Sequence, residues 1–536
     1  MRLDLSHLPY PSTRQPLFTT RGVVATSQPL AAQAGLAMLQ QGGNAVDAAI
    51  ATAMALTVVE PTSNGIGSDL FALVWDGTKL HGLNGSGRAP AGLTPEAVQR
   101  RGHDTMPTHG WLAVTVPGAP AAWRDLHERF GKLPFATLCA PAIGYAERGY
   151  PISPVLGSAW SRAAQASRAR TGPEFRGWAE TFTSEGRAPA VGEIWRSPGH
   201  AWTLSRIAET GAEAFYRGEI AEAIVQFAEA TSGLMRADDL AGHTSTWVDP
   251  ISVSYRGYDV WEIPPNGQGI TALMALNILE GFALDQLPRD SAQCYHLQIE
   301  AIKLAFADAQ RYVADPAHVA VPTDALLSKS YADARRALIG ERALDPRAGN
   351  PLKGGTVYLC AADGDGMMLS LIQSNYMGFG SGVVVPGTGI ALQNRGAGFT
   401  LEEGHPNQLA PGKRPFHTII PGFLTRSGAP IGPFGVMGGH MQPQGHLQMI
   451  VNTIDYGLNP QASLDAPRWY WERGREVWLE PGAAPELAQE LTRRGHEVAV
   501  AQEQAIFGRG QIIWRLPSGA YVAGSDGRTD GCAVGY

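Results

Sequence analysis

Gly354-Gly355-Thr356-Val357-Tyr358-Leu359-Cys360-Ala361-Ala362-Asp363 decides how the rest of the chain is read. Val357, Tyr358 and Leu359 favour a strand. Asp363-Gly364-Asp365-Gly366 predicts a tight turn, because glycine supplies positive φ, and residues 367–372 return as a second strand. Thr356 therefore opens a hairpin after an unhindered, glycine-led approach. If the Gly355–Thr356 bond is cut, Thr356 becomes an N-terminal residue whose hydroxyl is a nucleophile and whose own α-amine is the base. An α-amine with a pKa of about 7.7–8.0 is partly unprotonated near neutrality. On this stretch alone, a threonine at a strand start is an ordinary β-branched residue in its preferred place. The longer pattern around it tips the balance.

That pattern runs outward from the hairpin. Residues 356–399, the segment Pro411-Gly412-Lys413-Arg414-Pro415 and the pair Gly438-Gly439 resemble the small subunit of the γ-glutamyltransferase (γ-glutamyl transpeptidase) family. Upstream, Gly42-Gly43-Asn44-Ala45-Val46-Asp47-Ala48-Ala49 and Val114-Thr115-Val116-Pro117-Gly118 resemble its large subunit, in the family's order. The likeness is closest to the bacterial γ-glutamyltransferase-like branch, near the cephalosporin-acylase-like members. The resemblance implies an α/β (α+β) fold, the four-layer αββα sandwich of N-terminal-nucleophile hydrolases. It also implies self-cleavage between Gly355 and Thr356 into residues 1–355 and 356–536, two subunits intertwined in one domain. The precursor's two pieces would then be each other's partners, with assembly of such heterodimers into a homo-oligomer left open.

Composition narrows the function classes. The hydrophobic fraction of 44% and charged fraction of 17% are those of a globular protein, and 536 residues make two lobes or subunits a fair prior. Net charge is −7 with no basic stripe, so nucleic acid is not an expected partner. Residues 1–20 carry no apolar h-region, and the apolar run 45–59 is too short to span a bilayer. The expectation is a cytoplasmic protein with no membrane partner, a departure from the family's many exported members. Cys139, Cys294, Cys360 and Cys532 match neither a metal knuckle nor a redox CxxC. His440 and His446 lack HExxH spacing and a carboxylate cluster, so no metal or cofactor is expected. Residues 64–69, Asn-Gly-Ile-Gly-Ser-Asp, follow a helix and precede a strand, the reverse of a dinucleotide fingerprint. No G-x-S-x-G elbow appears.

Along the chain, residues 29–40 and 45–58 read as helices, with Gly42-Gly43 ending the first and Asn44 capping the second. Residues 71–75 and 79–83 read as paired strands, and 126–344 as largely helical, with a strand pair at 252–262. Pro264-Pro265-Asn266-Gly267-Gln268-Gly269 is either a turn into a helix or, by resemblance, part of the active-site floor. Residues 345–355, with Pro346, Gly349 and Pro351, form the best linker. Strands are expected at 370–376, 389–394, 421–424 and 432–437, and a helix at 446–456. Residues 399–415 are expected to form a lid, and 524–531 a structural closing segment.

The resemblance assigns roles residue by residue. Thr356 is the nucleophile, Ser374 a second hydroxyl bonded to its amine, and Gly438 and Gly439 the oxyanion-binding pair. The substrate-binding half departs from the family. Tyr376 stands where Asn is usual, Arg395 at a Gln, Gly398 at an Asp that pairs with the glutamyl ammonium, and His417-Thr418 at a Ser-Ser pair. Arg88 lies two residues beyond the family's carboxylate-gripping arginine, whose place Ser86 takes. Without the acid, a buried ammonium has no partner. Arg88 and Arg395 could still hold a terminal carboxylate. Expected substrates are therefore γ-glutamyl compounds such as glutathione, with glutaryl or other dicarboxylic N-acyl amides as the alternative, and hydrolysis ahead of transfer. A non-processing homologue that binds a small acid is the alternative of another class.

Overall fold

A computed structural model describes residues 14–346 and 355–536. Residues 1–13 and 347–354, which include Gly354 and most of the expected linker, lie outside the described residues. Two seven-stranded antiparallel sheets stack face to face. One orders the strands Cys532–Gly535, Gly22–Thr26, Gly355–Asp363, Met368–Tyr376, Asp69–Trp75, Leu80–Gly85 and Thr246–Val248. The other orders Leu17–Thr19, Tyr521–Ser525, Arg509–Arg515, Ala429–Met437, Gly422–Arg426, Tyr258–Glu262 and Ile251–Tyr255. Both sheets take strands from each side of Thr356, so the residues before and after it share both sheets.

Alternation along the strands builds the middle of the sandwich. Val23, Phe71, Tyr358, Ile372, Phe423, Met437 and Ile513 point between the sheets and are buried together. Gly435 lets the sheets close, since a Cβ there would lie 2.5 Å from the Tyr358 ring. The opposite strand faces are covered by helices. Pro29–Gln40 and Ala45–Val59 cover the first sheet, with Phe135–Arg148 packed on them, and Gly269–Leu279 and Met441–Ile454 cover the second, with Ala292–Tyr312 packed on them. The result is the four-layer αββα sandwich. Every residue of Ala45–Val59 is buried, and its small side chains admit close packing: a Cβ on Gly35 would lie 2.2 Å from Thr52 Oγ1. Asn44 caps that helix by accepting from Val46 N and Asp47 N, as its sequence position predicts.

Two expected elements differ. Residues 389–394 form no ladder strand; they meet their neighbours only through isolated bridges, Val384 to Ala391 and Gly67 to Leu392. The helix expected at 446–456 begins at Met441. Pro443 and Gly445 read as breakers in the sequence. Pro443 sits in the first turn, where its missing N–H leaves no bond unmade. Gly445 is there for proximity, since a Cβ would lie 2.4 Å from Val436 Cγ1. Among the described residues no helix is long and apolar enough to cross a membrane.

Candidate active site

Thr356 sits at the end of the inter-sheet layer, 1% exposed. The ladder between Gly355–Asp363 and Met368–Tyr376 is irregular at this point: Gly355 pairs with Tyr376, yet Val357 pairs with Gln373. The irregularity turns the threonine hydroxyl toward neighbouring side chains. Its Oγ1 donates to Ser374 Oγ at 3.2 Å and accepts from Gln442 Nε2 at 3.4 Å. Ser374 Oγ also accepts from Tyr376 N at 2.8 Å and Arg395 Nη2 at 3.2 Å. Arg395 Nη1 donates to Thr418 Oγ1 at 2.7 Å. Gln268 Nε2 then bridges Thr418 O and Gly439 O at 2.6 and 2.9 Å. Gly439 O in turn accepts from Gln442 N, which closes a ring around the nucleophile.

Gly438 and Gly439 lead into the Met441–Ile454 helix with φ of +129° and +63°, angles that suit glycine. Among the described residues neither N–H donates to a protein acceptor, whereas both carbonyls are bonded, to Met441 N and Gln442 N. Two backbone donors beside the threonine are thus left for a ligand oxygen.

Arg395 is fully buried, and its Nε has no hydrogen-bond partner. Among the described residues no carboxylate lies within 4.0 Å of its guanidinium. The Tyr376 ring centroid lies 4.3 Å from its Cζ. Burial pulls the arginine down to about 10, while Asp69 and Tyr376 push the other way.

Asp69 is the polar hub behind this ring, and sequence reasoning missed it. Its Oδ1 accepts from Gly87 N at 2.9 Å, Gly118 N at 3.2 Å and Gln393 Nε2 at 2.8 Å. Its Oδ2 lies 3.0 Å from His417 Nε2. Ile419 N donates to His417 Nδ1, so the imidazole proton sits on Nε2 and points at the carboxylate. Burial holds His417 well below its ordinary range, hence neutral. Burial pushes Asp69 up to about 7 against the pull of Arg395 and its donors. The Gly85-Ser86-Gly87 and Pro117-Gly118 turns touch backbone to backbone to reach Asp69. A Cβ on Gly87 would lie 1.5 Å from Val116 O, and one on Gly118 1.8 Å from Gly85 O.

The structure thus brings Thr356, Ser374, Tyr376, Arg395, Thr418 and the glycine pair together. It places His417 one step back, fully buried and turned to Asp69. It does not bring in Arg88, a half-buried residue whose neighbours include the Arg414 guanidinium and the buried, neutral His243. Gln442 and Gln393 went unread as well, and Gln268 was read only as part of the Pro264–Gly269 segment. Gln442 carried one signal, its place three residues after Gly439. His440 precedes the Met441–Ile454 helix without a side-chain cap bond and faces the cleft described below, whereas His446 Nδ1 bonds Glu262. Gln268 and Asn266 place Pro264–Gly269 on the floor of the site, Asn266 Nδ2 bonding Pro415 O at 2.8 Å.

A cleft of about 910 Å³ opens beside the ring. Tyr376, Gly398, Phe399, Asn407, Phe416 and His440 form its inner wall, with Asp104 and Glu402 also lining it. Residues 399–407 supply much of one side, the position expected of a lid. Thr356 and Arg395 lie behind Tyr376 and do not line the cleft.

Comparisons with known proteins agree with this geometry. The gamma-glutamyltranspeptidase family model matches residues 31–536. The glutathione hydrolase-like proenzyme YwrD of Bacillus subtilis is 37% identical, over 96% of this chain and 98% of its own. The oxamate amidohydrolase proenzyme of Klebsiella pneumoniae is 35% identical, over 97% and 99%. The crystal structure of cephalosporin acylase from Bacillus halodurans superposes with a TM-score of 0.95 at 57% identity, covering 100% of this chain and 99% of that one. With the sandwich and a buried strand-leading threonine already in place, these matches show that the chain belongs to the γ-glutamyltranspeptidase family, as an enzyme of its bacterial hydrolase and acylase branch.

Proposed function

We propose that the chain is a precursor that cuts itself before Thr356 and then hydrolyses N-acyl amides whose acyl group ends in a carboxylate, such as glutaryl amides. The observation that carries this reading is Arg395, a buried cation at the nucleophile with no carboxylate within ion-pair distance among the described residues. A buried charge without a partner is costly, and a substrate carboxylate would supply one. The wall position that would hold an acid for an α-ammonium is Gly398.

In the uncut chain Thr356 Oγ1 attacks the Gly355 carbonyl carbon, the peptide nitrogen takes a proton and leaves as the new α-amine, and water cleaves the resulting ester. Gly355 then no longer pairs with Tyr376, whose φ of +79° is a strained setting for a tyrosine. Release of that pairing would let the ring swing off Arg395 and join the cleft to the threonine. In turnover the Thr356 hydroxyl passes its proton to the α-amine and attacks the substrate amide. The N–H groups of Gly438 and Gly439 hold the oxyanion, the amine leaves with a proton, and water releases the acid.

A second reading, hydrolysis of γ-glutamyl compounds such as glutathione, is favoured by the relative named glutathione hydrolase-like. Initial rates on glutaryl and γ-glutamyl p-nitroanilides separate the two. Turnover of the glutaryl compound well above the γ-glutamyl one is expected. The reverse order would overturn the dicarboxylate reading and leave the nucleophile assignment intact.

A further inference from the structure

Gly438, Gly439 and Gln442 enter the site together, at the start of the Met441–Ile454 helix. The two backbone N–H groups have a part in the mechanism above, whereas the Gln442 side chain has none. It is fully buried and reaches the nucleophile, its Nε2 lying 3.4 Å from Thr356 Oγ1. Its amide has one way round. Ile420 N is a donor and lies 2.9 Å from one amide atom, which must therefore be the accepting oxygen, Oε1. That turns the NH2 group toward Thr356. The main chain of the same residue is tied to the site as well, since Gln442 N donates to Gly439 O.

A threonine hydroxyl has one proton and two lone pairs. The Thr356 proton is directed at Ser374 Oγ, 3.2 Å away, so the bond from Gln442 falls on a lone pair. Among the described residues Gln442 is the only donor to Oγ1. By the reading above, Gly438 and Gly439 serve the carbonyl oxygen instead. Oγ1 gains negative charge as the hydroxyl loses its proton and attacks, and gains it again when the ester breaks and Oγ1 leaves. A neutral donor stabilises an oxygen more as that charge develops than in the resting hydroxyl. A bond that is long at rest tightens in the reacting complex.

On the reading that Thr356 is the nucleophile, we propose that Gln442 is a further catalytic residue, a third donor that stabilises Thr356 Oγ1 while this oxygen carries charge. In self-cleavage it assists as Oγ1 bonds the Gly355 carbonyl carbon. In turnover it assists when Oγ1 attacks the substrate amide and again when the ester is hydrolysed. In that last step the water oxygen bonds the acyl carbon and its proton goes to the α-amine. The carbon–Oγ1 bond then breaks, the electron pair returns to Oγ1, and the α-ammonium supplies the proton. Gln442 transfers no proton in any step.

Self-cleavage tests this without reference to the substrate. Full-length precursor made by cell-free synthesis is moved to buffers between about pH 5 and about pH 8, and its cutting is timed by gel. Gln442→Met removes the donor at similar volume and should cut about tenfold more slowly than wild type, or slower still. Gln442→Glu keeps an acceptor for Ile420 N in both charge states but offers Thr356 a donor only when protonated. Burial raises a carboxyl above its ordinary value of about 4.3, so its rate relative to wild type should climb by about tenfold or more as pH falls across the range. The titratable groups around the ring, Asp69, Tyr376, Arg395, His417 and His440, are present in wild type too, so the ratio reports the introduced carboxyl. A Met variant that cuts within about twofold of wild type, or a Glu ratio that is flat with pH, would overturn the proposal and leave Gln442 a brace for Ile420. If the Met variant does not fold, the Glu ratio decides, because it compares two charge states of one protein. Thr356→Ala run alongside separates the two levels. Cutting that survives in it removes the nucleophile reading and the role of Gln442 together, whereas cutting lost in it but unchanged in Gln442→Met removes the role of Gln442 alone.

Discussion

Replacing Arg395 by glutamine separates two roles that the structure gives this side chain. Arg395 braces the site through Ser374 Oγ and Thr418 Oγ1, and by the reading above it also receives the substrate's terminal carboxylate. The two roles come apart in a cycle of two enzymes and two substrates. Glutaryl and valeryl p-nitroanilides have the same acyl chain length and differ by a carboxylate in place of a methyl. A hydrogen bond to a charged group contributes about 1.5–3 kcal/mol, and a fully buried guanidinium belongs at the upper end. With about 1.4 kcal/mol per factor of ten, the Arg395→Gln variant should lose about 100-fold in kcat/KM on the glutaryl compound beyond whatever it loses on the valeryl one. The valeryl loss measures the bracing. The introduced amide can still donate one bond to Thr418, so that loss should stay within about tenfold. The assay is initial-rate release of p-nitroaniline by processed enzyme of confirmed mass. Equal losses on both substrates would refute the reasoning: Arg395 would then be a brace alone.

Three further perturbations follow from the same geometry. Thr356→Ala should remain a single 57.1 kDa chain by intact mass, while wild type splits after Gly355 and Thr356→Ser splits more slowly; a wild type that stays whole on long incubation would remove the nucleophile assignment. Gly439→Ala places a Cβ at φ +63°, at a cost of about 1–2 kcal/mol, and displaces an oxyanion donor, so kcat should fall about 100-fold or more with KM little changed. Unaltered kcat would mean that N–H is not aimed at the reacting oxygen. Asp526 tests the closing segment: burial would raise its pKa, but Arg468 at 2.8 Å and Arg528 at 3.0 Å outweigh burial and hold the carboxyl below the usual carboxylate range. A depressed folded pKa contributes stability above the unfolded value of about 4 that is lost as pH falls below it. The stability gap between wild type and Asp526→Asn in urea denaturation should therefore narrow as pH drops from about 5 toward 2. A gap independent of pH would rule out the charge as its source.

What the sequence revealed follows from how far apart the interacting residues lie along the chain. The Thr356 hairpin, the Asn44 cap and the strand pair around Asp76-Gly77 each lie within one short stretch of chain and are settled by turn and cap chemistry that acts locally. Asp69 is the opposite case. Its four partners come from Gly87, Gly118, Gln393 and His417, and no local pattern distinguishes it from a solvated aspartate at a strand start. The same distance explains the change in reading of His417. Position alone placed it among the substrate-binding residues, whereas the register of Asp69 opposite Ser374 puts a buried carboxylate where the imidazole must meet it. Tyr376 shows a third kind of illegibility. Its identity marks a departure from the family, but its covering of Arg395 depends on a positive φ and on pairing with Gly355. If the chain is cut as proposed, that pairing would be lost, so the family resemblance describes a processed site and the structure an uncut chain. On that proposal one bond cleavage would supply the nucleophile, its base and the way in to the cation, and a substrate panel run on unprocessed chain would report on Tyr376 rather than on specificity.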